Sequence, residues 1–167
     1  MSRARHRLPF DPIEEAARLW EQRWSERPRM RAVTSLMRVH QLVLTELDEL
    51  LRPLGLSFAR YEVLVLLSFS RRGALPLGKI GERLQVHATS VTPLVNRLEN
   101  AGLIKRTPHP EDGRAVLASI TSEGQRVLQQ ATEAITADRF GLGSLTEAEC
   151  DELTALLTRP RADAGDF

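Results

Sequence analysis

A run of short polar side chains followed by a basic tip lies between residues 77 and 114 of the chain. Hydroxyl, amide and guanidinium groups can hydrogen-bond the phosphate oxygens and base edges of a nucleic acid when one helix presents them together. We predict a DNA-binding site that consists of His87, Thr89, Ser90, Thr92, Asn96, Arg97, Asp112 and Arg114.

Two short helices and a hairpin are needed to position these residues. The apolar spacing predicts a helix over residues 77–84, a turn over 85–87 and a second helix over 88–100, which Gly102 ends. A basic β-hairpin with a proline-rich tip follows, and this order is typical of a winged helix-turn-helix. The apolar pattern alone is equally typical of any two-helix corner. The predicted apolar faces consist of Leu77, Ile80 and Leu84, and of Val91, Leu94, Val95 and Leu98.

Pro93 leaves the start of the second helix open. Proline lacks a backbone N–H and clashes with the preceding helical turn, so a helix tolerates it best in its first turn. The helix therefore either begins late, with Thr89 or Ser90 as its N-cap, or continues through Pro93 with a kink. The sequence does not distinguish these alternatives.

A longer pattern resembles the MarR family of bacterial transcription regulators over roughly residues 33–158. Its most specific part is Asp112-x-Arg114 with the leucine, threonine and glycine that follow. The resemblance implies a dimeric winged-helix repressor of transcription whose activity responds to a ligand or an oxidant. The other matching residues are Leu56-Ser57, Tyr61, Val63-Leu64, Thr92-Pro93-Leu94-Val95, Arg97-Leu98-Glu99, Gly102-Leu103-Ile104, Arg106, Leu117, Ile120-Thr121 and Gly124.

Asp112 and Arg114 stand at the tip of the hairpin. An arginine there can enter the narrow, electronegative minor groove of DNA. The anionic Asp112 is unsuited to a phosphate contact, and the resemblance favours a carboxylate that orients the Arg114 guanidinium. Because Asp112-Gly113 is also a good turn dipeptide, the acid alternatively only forms the turn. His87 either touches DNA or ends the turn, and Arg97 is expected to bind phosphate rather than a base.

Amphipathic helices are predicted on both sides of the motif. Asp11 caps a helix that stops near Pro28, a long helix covers about 30–51, and Ser57 caps a third that ends near residue 72. After the hairpin, two capping-box patterns predict two more helices. They consist of Ser122 with Gln125 and of Thr146 with Glu149, and Gly141 and Gly143 separate the two helices.

The terminal helices carry apolar stripes that a single winged helix would leave unburied, which predicts burial against a second copy of the chain. The expected fold is mainly α with a small β-wing, a winged helix-turn-helix flanked by N- and C-terminal dimerisation helices. The predicted organisation is a flexible basic N-terminus (1–10), N-terminal dimerisation helices (11–56), the DNA-binding unit (57–121), C-terminal dimerisation helices (122–158) and a flexible tail (159–167).

The charge of the chain is unevenly distributed. The net charge of +1 does not favour a nucleic-acid partner by itself. Residues 71–114, however, hold eight Lys and Arg against four acidic residues, whereas residues 115–167 hold four arginines against nine acidic residues. A basic middle predicts a localised phosphate-binding face, although charged runs are also ordinary solvated surface.

Composition argues against several other classes of protein. The content of 42% hydrophobic and 27% charged residues is ordinary for a globular protein. A single cysteine, Cys150, excludes an internal disulfide and fits a cytoplasmic location. The sequence contains neither a membrane-spanning apolar run nor a secretory signal. Scattered histidines, with no phosphate loop or nucleophile elbow, predict that the protein is not an enzyme and needs no metal or cofactor.

A small-molecule pocket is expected where the dimer helices meet the DNA-reading unit. Aromatic side chains with polar tips can wall such a cavity, and arginines can pair an anion. Alternatively these residues are plain packing, and His40 is a core or interface histidine. The residues predicted to bind the ligand are Trp20, Arg29, Arg31, His40 and Tyr61.

Two effector types known in the family are not expected. Its peroxide sensors carry a cysteine near the start of the long N-terminal helical region, where this chain has none. Its urate-responsive members pair a tryptophan and an acid with two arginines. Trp20 and Glu62 match the first two, but Phe69 and Leu94 stand where the arginines should be.

The sequence thus predicts a cytoplasmic, homodimeric, sequence-specific DNA-binding regulator that recognises a near-palindromic operator. We expect a repressor that a small anionic or phenolic ligand releases. The alternative is a winged-helix protein-interaction module without DNA binding, which predicts acidic or apolar residues on the outer face of the second helix. The operator, the regulated genes and the identity of the effector stay open.

Overall fold

Within residues 8–70, 73–84, 88–110 and 115–167, which the computed structural model describes, the chain forms seven α-helices and three short β-strands. It divides into two bodies, one up to Thr45 and one from Glu46 onwards. The mainly helical fold with a small sheet agrees with the prediction. In chain order the elements are α1 (Pro12–Glu21), α2 (Arg27–Leu51), α3 (Phe58–Ser68), β1 (Ala74–Pro76), α4 (Leu77–Leu84), α5 (Ala88–Asn100), β2 (Ile104–Pro108), β3 (Val116–Ile120), α6 (Ser122–Ala137) and α7 (Glu147–Asp163).

The first body consists of α1 and most of α2. Asp11 caps α1 as predicted, because its carboxylate accepts a hydrogen bond from the backbone N–H of Ile13 at 2.8 Å. The carboxylate of Glu14 pairs with Arg31 and lies 3.8 Å from the guanidinium of Arg27, which connects the two helices. Ala17 of α1 is fully buried.

The boundary between α1 and α2 differs from the prediction. The first helix ends at Glu21 rather than near Pro28, and the indole N–H of Trp20 closes the turn by donating to the backbone carbonyl of Ser25 at 2.7 Å. The second helix then begins at Arg27, so Pro28 starts a helix instead of ending one. In the first helical turn a proline costs little because its N–H would have no helical partner.

The second body contains the main apolar core. Helix α3 packs against α5 and α6, and the last turn of α2 contributes Leu47 and Leu51. Ser57 occupies the N-cap position of α3, but its side chain makes no capping bond; instead Asp48 of α2 accepts the N–H of Phe58 at 2.7 Å. The fully buried large side chains are Leu51, Val63, Leu64, Leu67, Ile80, Val95, Leu98 and Ile135.

The three strands form an antiparallel sheet in the order β1-β3-β2. Strands β2 and β3 are the predicted hairpin, with Arg106 opposite Ala118. Strand β1 was not predicted: α3 ends at Ser68 instead of near residue 72, and Leu75 then also pairs with Ala118 from the other side. A strand of three residues that ends in a proline has no alternating pattern from which it could be predicted.

The C-terminal helices begin with different caps. The N-cap of α6 is Thr121 rather than the predicted Ser122, because the Thr121 hydroxyl accepts the N–H of Gly124 at 3.0 Å. The predicted capping box of Thr146 and Glu149 at the start of α7 is confirmed. Helix α7 continues through Pro160 to Asp163, where a flexible tail was expected, and it has no buried side chain.

Candidate DNA-binding surface

Helices α4 and α5 form the predicted helix-turn-helix pair. Val91, Val95 and Leu98 of α5 are buried, as is Ile80 of α4, so the predicted apolar faces do turn inward. On the opposite face of α5, three of the predicted DNA contacts are exposed and a fourth is half-buried. The exposed residues are Ser90, Thr92 and Arg97, and the half-buried one is Asn96.

Several predicted contacts lie outside the described part of the chain. His87 belongs to the turn between α4 and α5, and Asp112 and Arg114 belong to the tip between β2 and β3. Thr89 lies in the first turn of α5, but its side chain is likewise outside the description. The role of these residues in DNA binding stays a prediction.

Helix α5 runs through Pro93. Because the helix already begins at Ala88, the late start with Thr89 or Ser90 as N-cap is wrong, and Pro93 lies in its second turn. The N–H that proline lacks would have bonded the carbonyl four residues earlier, at Thr89. The Thr89 carbonyl therefore lacks the backbone N–H donor that the residue four positions later normally supplies.

Arg106 of β2 connects the wing to α5. Its Nε donates to the Glu99 carboxylate at 2.7 Å, and its Nη1 donates to the side-chain oxygen of Asn96 at 2.8 Å. The backbone N–H of Arg106 donates to the other Glu99 oxygen at 3.2 Å. Both charged side chains keep only about a third of their surface exposed, 34% for Arg106 and 31% for Glu99.

Charge pairing accounts for the ionisation of Glu99. The side-chain hydrogen bond from Arg106 lowers the pKa of Glu99 below its ordinary value of 4.5, and partial desolvation opposes this shift. Glu99 is the only acidic residue in α5, so its ionised carboxylate is compensated within the protein rather than facing a phosphate backbone unpaired. This role of Glu99 and Arg106 was not predicted from the sequence. The signal that could have indicated it is an acidic and a basic residue on either side of the turn at Gly102.

The base of the wing is fixed by a compact set of backbone contacts. Gly102 ends α5 with a left-handed φ of 72°, and the N–H of Leu103 bonds the carbonyl of Leu98 at 3.0 Å. Thr121 then bonds this turn twice: its N–H donates to the carbonyl of Leu103 at 3.0 Å and its hydroxyl donates to that of Gly102 at 2.8 Å. A Cβ on Gly124 would lie 2.0 Å from the Leu103 oxygen, so only glycine fits at this approach.

The predicted ligand residues are distributed over both bodies. In the first body Arg29 pairs with Glu26 and Arg31 with Glu14, and His40 is exposed. Trp20 and Trp24 stack with ring centres 4.8 Å apart. In the second body Tyr61 is buried, with its hydroxyl 3.2 Å from that of Thr132, and burial raises the pKa of Glu62.

No three His, Cys, Asp or Glu side chains of residues 8–70, 73–84, 88–110 and 115–167 lie close enough to hold a metal ion. Nor does any described helix have the length and apolar composition of a membrane span.

A helix-turn-helix followed by a two-stranded wing defines a winged-helix protein. The MarR family model matches residues 58–116. The regulator PapX of Escherichia coli is 35% identical over 78% of this chain and 80% of its own length, and the repressor MdtR of Bacillus subtilis is 34% identical over 69% and 74%. The crystal structure of Sco5413, a MarR family regulator of Streptomyces coelicolor, is 51% identical with a TM-score of 0.79, covering 84% of this chain and 97% of Sco5413. The chain belongs to the MarR family.

Proposed function

We propose that the protein is a transcription regulator that binds a near-palindromic DNA operator as a homodimer. The observation that carries this proposal is the polar outer face of α5, where Ser90, Thr92 and Arg97 are exposed beside the basic strand β2. Lys105 of β2 is exposed as well. The similarity to the transcriptional regulator PapX and to the transcriptional repressor MdtR supports the same conclusion.

The wing adds a second contact in this proposal. Arg114 enters the minor groove next to the site that α5 reads, and Asp112 orients its guanidinium. His87, Thr89, Ser90, Thr92, Asn96 and Arg97 contact bases or phosphates in the major groove. A protein-interaction module without DNA binding would instead have an acidic or apolar outer face, and the exposed Ser90, Thr92 and Arg97 of α5 are neither acidic nor apolar.

Dimerisation is supported by apolar side chains that the single chain leaves exposed. In the first body Val33 and Met37 of α2 are each 56% exposed, and in the second body Leu156 of α7 is 63% exposed. Apolar surface of this extent is typical of a protein–protein interface. A two-fold dimer would present two α5 helices about 34 Å apart, one turn of DNA.

The test is binding to a fragment taken from upstream of the protein's own gene, compared with a shuffled fragment of equal length and composition. We expect the upstream fragment to bind about 10³-fold more tightly or better, with affinity falling steeply as salt rises. Equal affinity for the two fragments would favour non-specific binding, and no binding to either would favour the protein-interaction alternative.

We further propose that the regulator is a repressor and that a small anionic or phenolic ligand releases it, with Trp20, Arg29, Arg31, His40 and Tyr61 as the contacts. Because Arg29 and Arg31 already have carboxylate partners, an anion competes with Glu26 or Glu14 for these guanidinium groups. Titration of tryptophan fluorescence with aromatic and aliphatic acids, alongside the DNA-binding assay, tests this proposal. If compounds that bind leave DNA affinity unchanged, the release mechanism is wrong.

A further inference from the structure

The side-chain amide of Asn96 has a fixed orientation. Its neighbour is the Arg106 guanidinium, which carries N–H donors only. The Asn96 atom 2.8 Å from Arg106 Nη1 must therefore be the amide oxygen, since the NH₂ group would place donor against donor. This single contact therefore distinguishes the amide oxygen of Asn96 from its nitrogen, which for many asparagines requires several hydrogen-bond partners.

The guanidinium itself is held in place by Glu99. Its Nε donates to Glu99 Oε2 at 2.7 Å, and the backbone N–H of Arg106 occupies the other carboxylate oxygen at 3.2 Å. A guanidinium bonded at both ends has little rotational freedom, because its donors form a rigid planar fork. Arg106 is therefore a fixed donor for Asn96 rather than a mobile surface cation.

The NH₂ group of Asn96 then points away from Arg106. Asn96 is half-buried and follows the exposed Thr92 by one helical turn, on the outer face of α5. In the described part of the chain, no acceptor is bonded to this NH₂ group. Among the described residues, both amide protons of this group are therefore available to a bound partner.

We propose that Arg106 and Glu99 are positioning residues: the bond from Arg106 to the Asn96 oxygen turns the Asn96 NH₂ group outward, and Asn96 meets DNA through this NH₂ group, as a donor to a phosphate oxygen or a base acceptor. This inference rests on the proposed function. The proposed contact is a single donation and differs from the bidentate pairing with adenine, in which the asparagine oxygen also accepts from the 6-amino group while the NH₂ group donates to N7. The acceptors that fit are purine N7, guanine O6, thymine O4 and phosphate.

The first experiment compares three variants on the upstream fragment and on shuffled DNA. We expect Asn96→Ala to lower operator affinity about tenfold. Arg106→Lys keeps the charge and can pair with Glu99, but an ammonium lacks the fork that reaches both partners. Arg106→Lys should lower the affinity ratio between upstream and shuffled DNA about as much as Asn96→Ala does, while the salt dependence of binding stays that of the wild type. Arg18→Gln, which removes an exposed ion pair on α1, is the matched control and should bind as the wild type does.

The double variant distinguishes positioning from general support of the fold. If Arg106 acts through Asn96, Arg106→Lys should have no further effect once Asn96 is alanine. Additive losses, or a wild-type preference in Arg106→Lys, would overturn the positioning role. Wild-type affinity in Asn96→Ala would overturn the contact itself while leaving the proposed function intact. If the wild type does not prefer the upstream fragment, both proposals fall.

The second experiment identifies the acceptor. Each operator purine is replaced by its 7-deaza analogue, each adenine by purine without the 6-amino group, and each phosphate by a neutral methylphosphonate. We expect the effect of one N7 or one phosphate replacement to disappear in Asn96→Ala. Loss of the N7 effect identifies a base as the acceptor, and loss of the methylphosphonate effect identifies a phosphate. If instead the adenine 6-amino group couples to Asn96, the Asn96 oxygen also accepts from the base and the proposal of a single donation is wrong.

Discussion

Gly124 lies where the first turn of α6 meets the backbone of Leu103. A Cβ on Gly124 would come within 2.0 Å of the Leu103 carbonyl oxygen and 2.8 Å of Ile120 Cγ1. We therefore expect Gly124→Ala to displace the backbone and to lower the free energy of unfolding by about 1–3 kcal/mol. Urea denaturation at fixed protein concentration measures this loss.

Gly78 provides the matched control for that substitution. It lies in α4, where a Cβ would meet no heavy atom within 4 Å, and its φ is not positive. Gly78→Ala should leave stability unchanged or raise it by about 0.4–1 kcal/mol, because alanine reduces the entropy of the unfolded chain. Equal stability of the two variants would show that the contact at Gly124 is not restrictive.

The pair formed by Glu99 and Arg106 predicts a dependence of stability on pH. Its hydrogen bonds lower the pKa of Glu99 in the folded state below the ordinary 4.5. Stability from this pair is therefore present above pH 4.5 and is lost as pH falls through the folded-state pKa. The stability difference between the wild type and Glu99→Gln should shrink below pH 4.5, which thermal unfolding across pH 3–7 measures.

Glu123 is a useful comparison for Glu99. The hydrogen bond from Arg126 likewise lowers the pKa of Glu123, so Glu123→Gln should show the same sign of pH dependence. Glu123 lies on α6 and not on α5, however, and we expect only Glu99→Gln to weaken operator binding at neutral pH. Equal DNA affinity of the two variants would contradict a role for Glu99 in the DNA-binding surface.

At the scale of elements, the wing carries a prediction that the family resemblance first raised. Arg114→Ala should weaken operator binding by about 1–3 kcal/mol while dimerisation and folding stay unchanged. Asp112→Ala should produce a smaller loss of the same kind, because the carboxylate acts through Arg114. Fluorescence anisotropy with labelled operator measures both. Arg161→Ala, which removes a remote exposed charge on α7, is the control.

The wing hypothesis is wrong if Arg114→Ala and Asp112→Ala both bind the operator as the wild type does. If Asp112→Ala instead lowers thermal stability without affecting DNA binding, Asp112 only forms the turn. That outcome separates the two alternatives for the Asp112-Gly113 dipeptide.

Elements with a repeating apolar pattern could be predicted from the sequence. The limits of α4 and the C-terminal end of α5 followed from the apolar spacing and from Gly102, and the capping box of α7 followed from Thr146 and Glu149, whereas Pro93 left the start of α5 open. Periodicity is a local property, so three or four side chains suffice to reveal it. The same pattern placed the predicted polar face of α5 outward.

Features that depend on distant residues could not be predicted in this way. Strand β1 exists because β3 offers a free edge, and α3 is capped by Asp48 from the preceding helix. The contact of Arg106 with Asn96 joins residues ten positions apart across a turn and a strand. These three features depend on how helices and strands pack against one another, and the spacing of residues along the chain does not reveal that packing.

At the scale of the whole molecule, the exposed apolar side chains of α2 and α7 argue for a second copy. Met37 is 56% and Leu156 63% exposed, although both stand in well-formed helices. We expect Met37→Glu and Leu156→Glu, singly or together, to convert the dimer to monomer at micromolar concentration, because a carboxylate would be buried without a partner. Sedimentation velocity measures the change. Phe69→Glu alters a side chain that is 77% exposed outside these helices and is the control.

Loss of the dimer should also abolish operator recognition. In a two-fold dimer the second α5 binds its half-site as an intramolecular step, and this linkage raises affinity by about 10²–10⁴-fold over a single contact. The monomeric variants should therefore lose affinity for the full operator by about that factor, and fall to the affinity that the wild type has for an isolated half-site. Phe69→Glu should retain both the dimer and the binding. A variant that is monomeric in sedimentation yet binds the full operator like the wild type would show that one copy of the chain reads the site alone.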